Sequence, residues 1–226
     1  IRDRNNNYFY NKQKGIFRME LYSRGINNKI TKGVAIFFWI LVVLYPNPCR
    51  LAASVYRLSN PPVSRTETAW LAEQLRDSAP EEVREIVYSI LPYNFDWEVY
   101  HMPWYFPTLE EALQKGTGDC KARYILFASL LEELEIPYQK KISFTHIWAA
   151  YEGMPETLIE NEREVLFTVD KKGHRTFNIP RADIKRSWHS FYRGFWEVMP
   201  IEKKILLMAG FPIVSGLFDI SRRRKV

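Results

Sequence analysis

Gly116-Thr117-Gly118-Asp119-Cys120-Lys121-Ala122-Arg123-Tyr124-Ile125-Leu126-Phe127-Ala128-Ser129-Leu130-Leu131 is the stretch whose reading decides the fold. A glycine turn feeds an apolar helix predicted over Lys121 to Leu134, and a cysteine stands where turn becomes helix. A thiol at a helix N-terminus meets the positive end of the helix dipole and unpaired backbone N–H groups, both of which stabilise a thiolate. His146 follows in the alternating segment Ile142-Ser143-Phe144-Thr145-His146-Ile147-Trp148, and Asp170 ends Val165-Leu166-Phe167-Thr168-Val169-Asp170. Cys, His and Asp, on a helix and then two strands, are the components of a thiol-based acyl-transfer site.

Upstream of the turn, Thr108 opens a short predicted helix, Leu109 to Gln114, with Glu111 placed for a capping box. Two more helices are predicted before it: Thr66 to Ser78, on the spacing of Ala69, Leu71, Ala72 and Leu75, and Glu81 to Leu91, with Pro80 at its first turn. Between them and the capping box, Tyr93, Phe95, Trp97, Tyr100, Trp104, Tyr105 and Phe106 crowd one segment, a density that reads as core or as a cleft wall.

Downstream, Ile136-Pro137 stops the helix. Tyr138 to Tyr151 then alternates as a strand, with Ile142, Phe144, His146, Trp148 and Ala150 on the face turned to the helices. A polar loop, Gly153 to Glu164, leads to a strand over Glu164 to Asp170, the turn Lys171-Lys172-Gly173, and a further short strand over Thr176 to Ile179. Helices packed on one side of a small antiparallel sheet make an α+β domain. Asn60-Pro61-Pro62 reads as a linker, so the domain is expected to start near Thr66 and to occupy residues 66–198.

The net charge of +6 belongs to the ends: residues 1–32 carry +6 and residues 205–226 carry +3, which leaves the stretch between them at −3. Nucleic-acid binding calls for a basic stripe on the folded part, and the charge pattern argues against it. The two cysteines, Cys49 and Cys120, lie far apart in unlike surroundings and do not read as a disulfide framework.

Each basic end adjoins an apolar run, Gly33 to Tyr45 and Ile205 to Phe218. A bilayer span takes about 20 residues, so both runs are short. The first, in a segment 33–58, reads as a membrane anchor helix with a juxtamembrane segment, following a basic arm (1–32). The second, within 203–221, reads as a spanning or membrane-associated helix. Lys29 and Lys32 before the first run and Arg222 to Lys225 after the second place both ends in the cytoplasm and the middle outside it. The chain opens on Ile1 and not on Met, which leaves room for upstream residues.

Gly116-Thr117-Gly118-Asp119-Cys120, the helix through Leu126-Phe127-Ala128-Ser129-Leu130-Leu131 and Ile136-Pro137, Thr145-His146-Ile147-Trp148, and Phe167-Thr168-Val169-Asp170 together resemble the transglutaminase-like superfamily. Pro107-Thr108-Leu109-Glu110-Glu111-Ala112-Leu113 is similar to the short helix that precedes its catalytic turn. That superfamily includes transglutaminases, peptidases and peptide N-glycanases on a papain-like α+β core, and the resemblance covers residues 66–180. It implies Cys120 as nucleophile, His146 as general base and acid, and Asp170 as the group that orients the imidazole, with no cofactor and no metal. Two features depart from the family pattern: a short interval from Cys120 to His146, and Ala149-Ala150-Tyr151 where a valine and an acid are common.

An oxyanion site needs a second donor beside the Cys120 N–H, and Trp104 and Gln114 are both candidates; Trp148 is expected to wall the cleft. Read singly, Cys120 and His146 would be core residues, Asp170 a turn former, and Asp119 and Lys121 a cap and a surface group. A zinc site from Cys120, His146, Asp170 and His174 lacks the close paired spacing such ligands usually show. Two classes of function remain: a membrane-tethered cysteine enzyme acting on amide bonds of a peptide, protein or cell-envelope substrate through a thioester, with hydrolysis favoured over amine transfer, and an inactive binding or assembly module on the same fold.

Overall fold

The computed structural model describes residues 29–170, 172–181 and 183–223; the expected basic arm over 1–32 lies almost wholly outside them. The chain separates into two units, one built from residues up to Pro46 together with those from Ile201 onward, the other from Asn47–Pro200.

The smaller unit pairs two apolar helices, α1 (Lys29–Leu44) and, last in chain order, α9 (Ile201–Arg223). The Trp39 indole N–H donates to the Leu206 carbonyl at 3.1 Å, and Lys203 Nζ donates to the Val43 carbonyl at 2.7 Å. Any side chain at position 210 would collide with the Trp39 ring, so Gly210 lets the helices meet. Ile30, Val34, Phe37 and Phe38 on α1, and Ile205, Met208, Phe211 and Ile213 on α9, stay exposed. Among the described residues no single helix is long and apolar enough to cross a membrane.

The larger unit is α+β. Its helices are α2 (Pro48–Ser59), α3 (Arg65–Gln74), α4 (Pro80–Ile90), α5 (Asp96–Tyr100), α6 (Leu109–Lys115), α7 (Cys120–Glu133) and α8 (Ile184–Tyr192), the last running into a π-helical turn, Arg193–Glu197. Strands β1 (Tyr138–Ile142), β2 (Ile147–Tyr151), β3 (Phe167–Val169) and β4 (Arg175–Phe177) form one antiparallel sheet in the order β2-β1-β3-β4.

Helix α7 is the axle of this unit. Its residues from Lys121 to Leu131 are buried except Arg123, which is half-buried, as expected of a helix apolar on nearly every side. α3, α4 and α6 pack against it on one side, and Ile147, Ala149 and Tyr151 of β2 close the other. The crowded aromatics divide: Trp97, Tyr100, Tyr105 and Phe106 are buried, whereas Tyr93 is 47% exposed.

Three expectations need correction. First, the larger unit takes in residues from Asn47 onward, ahead of the start expected near Thr66. Side chains of α2 tie it to the core: Ser54 Oγ accepts from the Phe106 N–H at 3.0 Å and donates to the Arg50 carbonyl at 2.8 Å. Arg57 donates to the Phe106 carbonyl at 2.9 Å and pairs with Glu111 at 3.1 Å. Lys140 Nζ, in turn, caps the end of α2 through the Leu58 carbonyl at 3.1 Å.

Second, Tyr138 to Tyr151 is a hairpin, not one strand. The Ser143 N–H donates to the His146 carbonyl at 2.8 Å and the Ser143 hydroxyl accepts from the His146 N–H at 3.0 Å, which folds Phe144-Thr145 outward and leaves Phe144 64% exposed. Third, the strand expected over Glu164 to Asp170 is confined to Phe167–Val169, and the one after it is Arg175–Phe177.

Ser54→Ala is expected to leave the buried Phe106 N–H without an acceptor and to cost about 1–3 kcal/mol. A urea titration followed by tryptophan fluorescence measures it. No loss would mean that α2 is not part of the cooperative unit.

Candidate active site

The turn before Cys120 is built by two glycines and a cap. Gly116 ends α6 in the left-handed region at φ 61°, its N–H shared between the Ala112 and Leu113 carbonyls at 3.0 and 3.1 Å. A side chain on Gly118 would strike Ala122 Cβ, so only glycine lets the turn lie against the first turn of α7. The segment before α5 straps this turn down: Asn94 N–H to the Gly118 carbonyl at 3.1 Å, Gly118 N–H to the Pro92 carbonyl at 3.2 Å, and Thr117 Oγ1 to the Pro92 carbonyl at 2.8 Å.

Asp119 then caps α7, its Oδ1 accepting from the Lys121 N–H at 2.9 Å. Lys121 is not the surface group expected. It is 5% exposed, with Nζ 2.8 Å from Asp96 Oδ2 and paired also with Asp119. Asp96 Oδ2 accepts in addition from the Tyr105 N–H at 2.7 Å. Burial, followed by the charge of Asp119, raises the Asp96 carboxyl against the pull of Lys121, up to about 7. Burial opposes the charge on Lys121, and the carboxylates of Asp119 and Asp96 overcome it and hold the ammonium well above its ordinary range.

Cys120, half-buried, and His146 line one narrow cleft with Arg84, Tyr88, Tyr93 and Glu160. The hairpin turn presents His146, whose ring stacks on Trp148 with centroids 5.6 Å apart, so Trp148 takes its expected place on the cleft wall. His146 Nε2 lies 2.8 Å from Glu160 Oε1. Burial works against a proton on this ring. Hydrogen bonds to Cys120 and Glu160, and the charges of both, outweigh it and push the imidazole up to about 10.

Glu160, not Asp170, is therefore the acid that holds the imidazole. It is buried, with its second oxygen 4.0 Å from Arg84, and its backbone is locked by Thr157: Glu160 N–H to Thr157 Oγ1 at 3.0 Å and Thr157 N–H to the Glu160 carbonyl at 3.0 Å. Arg186 of α8 braces the same loop through the Leu158 carbonyl at 2.7 Å.

Asp170 fails as the third member for a topological reason. β1 lies between β2 and β3, and the antiparallel register sets Phe167 opposite Ile142 and Val169 opposite Lys140. Asp170 thus leaves the sheet at the end away from the hairpin that carries His146. There it forms a turn, accepting from the Lys172 and His174 N–H groups at 2.8 Å each and meeting His174 Nδ1 at 3.0 Å. The zinc reading falls with it, because Asp170 and His174 pair with each other and not with Cys120 and His146; among the described residues no group of three or more such side chains is placed to hold a metal ion.

Of the two donors considered for the oxyanion, Gln114 Nε2 donates to Glu110 at 3.0 Å on the exposed side of α6, and the Trp104 ring faces Lys121 Nζ at 5.9 Å. Neither lines the cleft; Tyr93 does. Burial, then the charge of Cys120, raises the Tyr93 phenol, so it remains an O–H donor.

Glu160→Gln is expected to lower the pH at which His146 titrates by about 1 or more, whereas Asp170→Asn should leave it unchanged; ring NMR signals report both. Because the folded imidazole lies above its ordinary 6.5, its contribution to stability is complete below that pH and is lost as the pH climbs through about 10. The denaturation midpoint of the wild type should fall across this window, and that of His146→Ala should fall less. Compared with known proteins, the chain matches no family model and no curated sequence.

Proposed function

We propose that this protein is a cysteine-dependent enzyme of the transglutaminase-like, papain-like type, cleaving amide bonds through a thioester. The observation that carries the reading is that Cys120 and His146 line one cleft, with the His146 imidazole 2.8 Å from the buried carboxylate of Glu160. Glu160 fills the part for which Asp170 was expected, as a positioning residue that acts through His146.

In the reaction, the Cys120 sulfur adds to the amide carbonyl carbon and the carbonyl π electrons move to oxygen. The Cys120 N–H, first in α7 and without an acceptor inside the helix, faces that oxygen together with the Tyr93 hydroxyl. Collapse of the adduct breaks the C–N bond, and the departing amine takes the proton from His146. Water then attacks the thioester carbonyl and passes a proton to His146, and the C–S bond breaks to restore the thiolate and release the acid. Hydrolysis is favoured over transfer to an amine because the sulfur is only half-buried, so water reaches the acyl-enzyme.

The apolar faces of α1 and α9 support a membrane tether, with the basic ends in the cytoplasm, the catalytic unit outside it, and peptides or cell-envelope amides as accessible substrates.

Cys120 is expected to react rapidly with iodoacetamide at neutral pH, and His146→Ala should slow it by about 100-fold. Equally slow labelling of both proteins would instead favour a binding or assembly module. With peptide and glutamine-amine substrates, hydrolysis should exceed amine incorporation and vanish in Cys120→Ser. An excess of amine incorporation would make the protein a transferase.

A further inference from the structure

Arg123 stands one helical turn after Cys120, so the two side chains share a face of α7, and both line the cleft. The guanidinium is fixed, and no acid among the described residues pairs with it. Its Nε donates to the Leu91 carbonyl at 2.9 Å, and its Cζ lies over the rings of Tyr88 and Tyr93, 4.4 and 5.3 Å from their centroids. These contacts use one of its five N–H donors and set the direction of the rest. Glu160, the one acid lining the cleft among the described residues, is taken by His146 and Arg84. Against the guanidinium groups of Arg84 and Arg123 stands the single carboxylate of Glu160 among the lining side chains, so the cleft carries a surplus positive charge.

A planar guanidinium is the side chain best matched to a carboxylate, which it grips with two parallel N–H donors. We propose that Arg123 reads a carboxylate on the substrate, so that the enzyme prefers amides flanked by an anionic group over neutral, glutamine-like ones. This rests on Cys120 being the nucleophile.

The test uses matched alkylating probes. Bromoacetyl-glycine against bromoacetyl-glycinamide presents a chain-terminal carboxylate, and bromoacetyl-aspartic α-amide against bromoacetyl-asparaginamide an acidic side chain. For at least one pair, the ratio of anionic to neutral rate constants at Cys120 should exceed the ratio for free cysteine by about tenfold. The pair with the larger ratio identifies the source of the carboxylate. Arg123→Gln should bring the ratio down to the free-thiol value, with folding checked by circular dichroism, and Arg123→Lys, which keeps the charge but not the fork, should reduce it several-fold.

A wild-type ratio equal to that of free cysteine for both pairs overturns the proposal. So does a ratio that survives Arg123→Gln; if that variant does not fold, an unchanged ratio in Arg123→Lys does the same. Slow labelling by every probe, indifferent to His146→Ala, would instead overturn Cys120 as nucleophile. Rapid, His146-dependent labelling without preference removes only the role of Arg123.

Discussion

The ammonium of Lys121, closed between the carboxylates of Asp96 and Asp119, holds the rest of the larger unit in place. A helix buried along nearly its whole length has to begin inside the protein, where water cannot serve its first N–H groups. Asp119 serves one of them, Lys121 ties Asp119 to Asp96, and Asp96 accepts from Tyr105, so a single ionic group fixes α7, α5 and the segment entering α6. Such a buried pair contributes little net stability over an apolar replacement, whereas removing one member is costly, about 3–5 kcal/mol. Its role is positional: it keeps the first residue of α7 at the mouth of the cleft.

The remaining parts converge on that point from independent elements. The β1–β2 hairpin brings the imidazole, the loop before β3 brings Glu160, and α4 brings Arg84 behind it. Arg84 lies beside Glu160, and Glu160 with Cys120 outweighs the effect of burial on the His146 imidazole.

What the sequence made legible was local. The Thr108–Glu111 capping box, Pro80 at the start of α4, and the turn from Gly116 to Cys120 are decided by neighbours within a few residues, and each takes the form expected. The α+β class followed from periodicity for the same reason. What escaped depends on non-local pairing. Alternation continues unbroken through Ser143 to His146 although the chain reverses there, because a serine hydroxyl substitutes for strand partners. Asp170 and Glu160 are both acids within reach in sequence of the last strands, and only the insertion of β1 between β2 and β3 decides against Asp170. The Thr157-Leu158-Ile159-Glu160 turn was the available local signal, a threonine whose hydroxyl accepts from the residue three positions on. Nothing nearby in the sequence marks its direction toward His146.

The two halves of the site differ in what carries them. Cys120 belongs to the helix around which the core is packed, so the sulfur cannot be displaced without melting the protein. Glu160 rides on a surface connection held by a few hydrogen bonds to Thr157 and by Arg186 of α8. On the proposed reading, chemistry and solidity are inseparable at one end of the proton path and independent at the other, which makes that connection the place where activity would be silenced while the architecture stays whole.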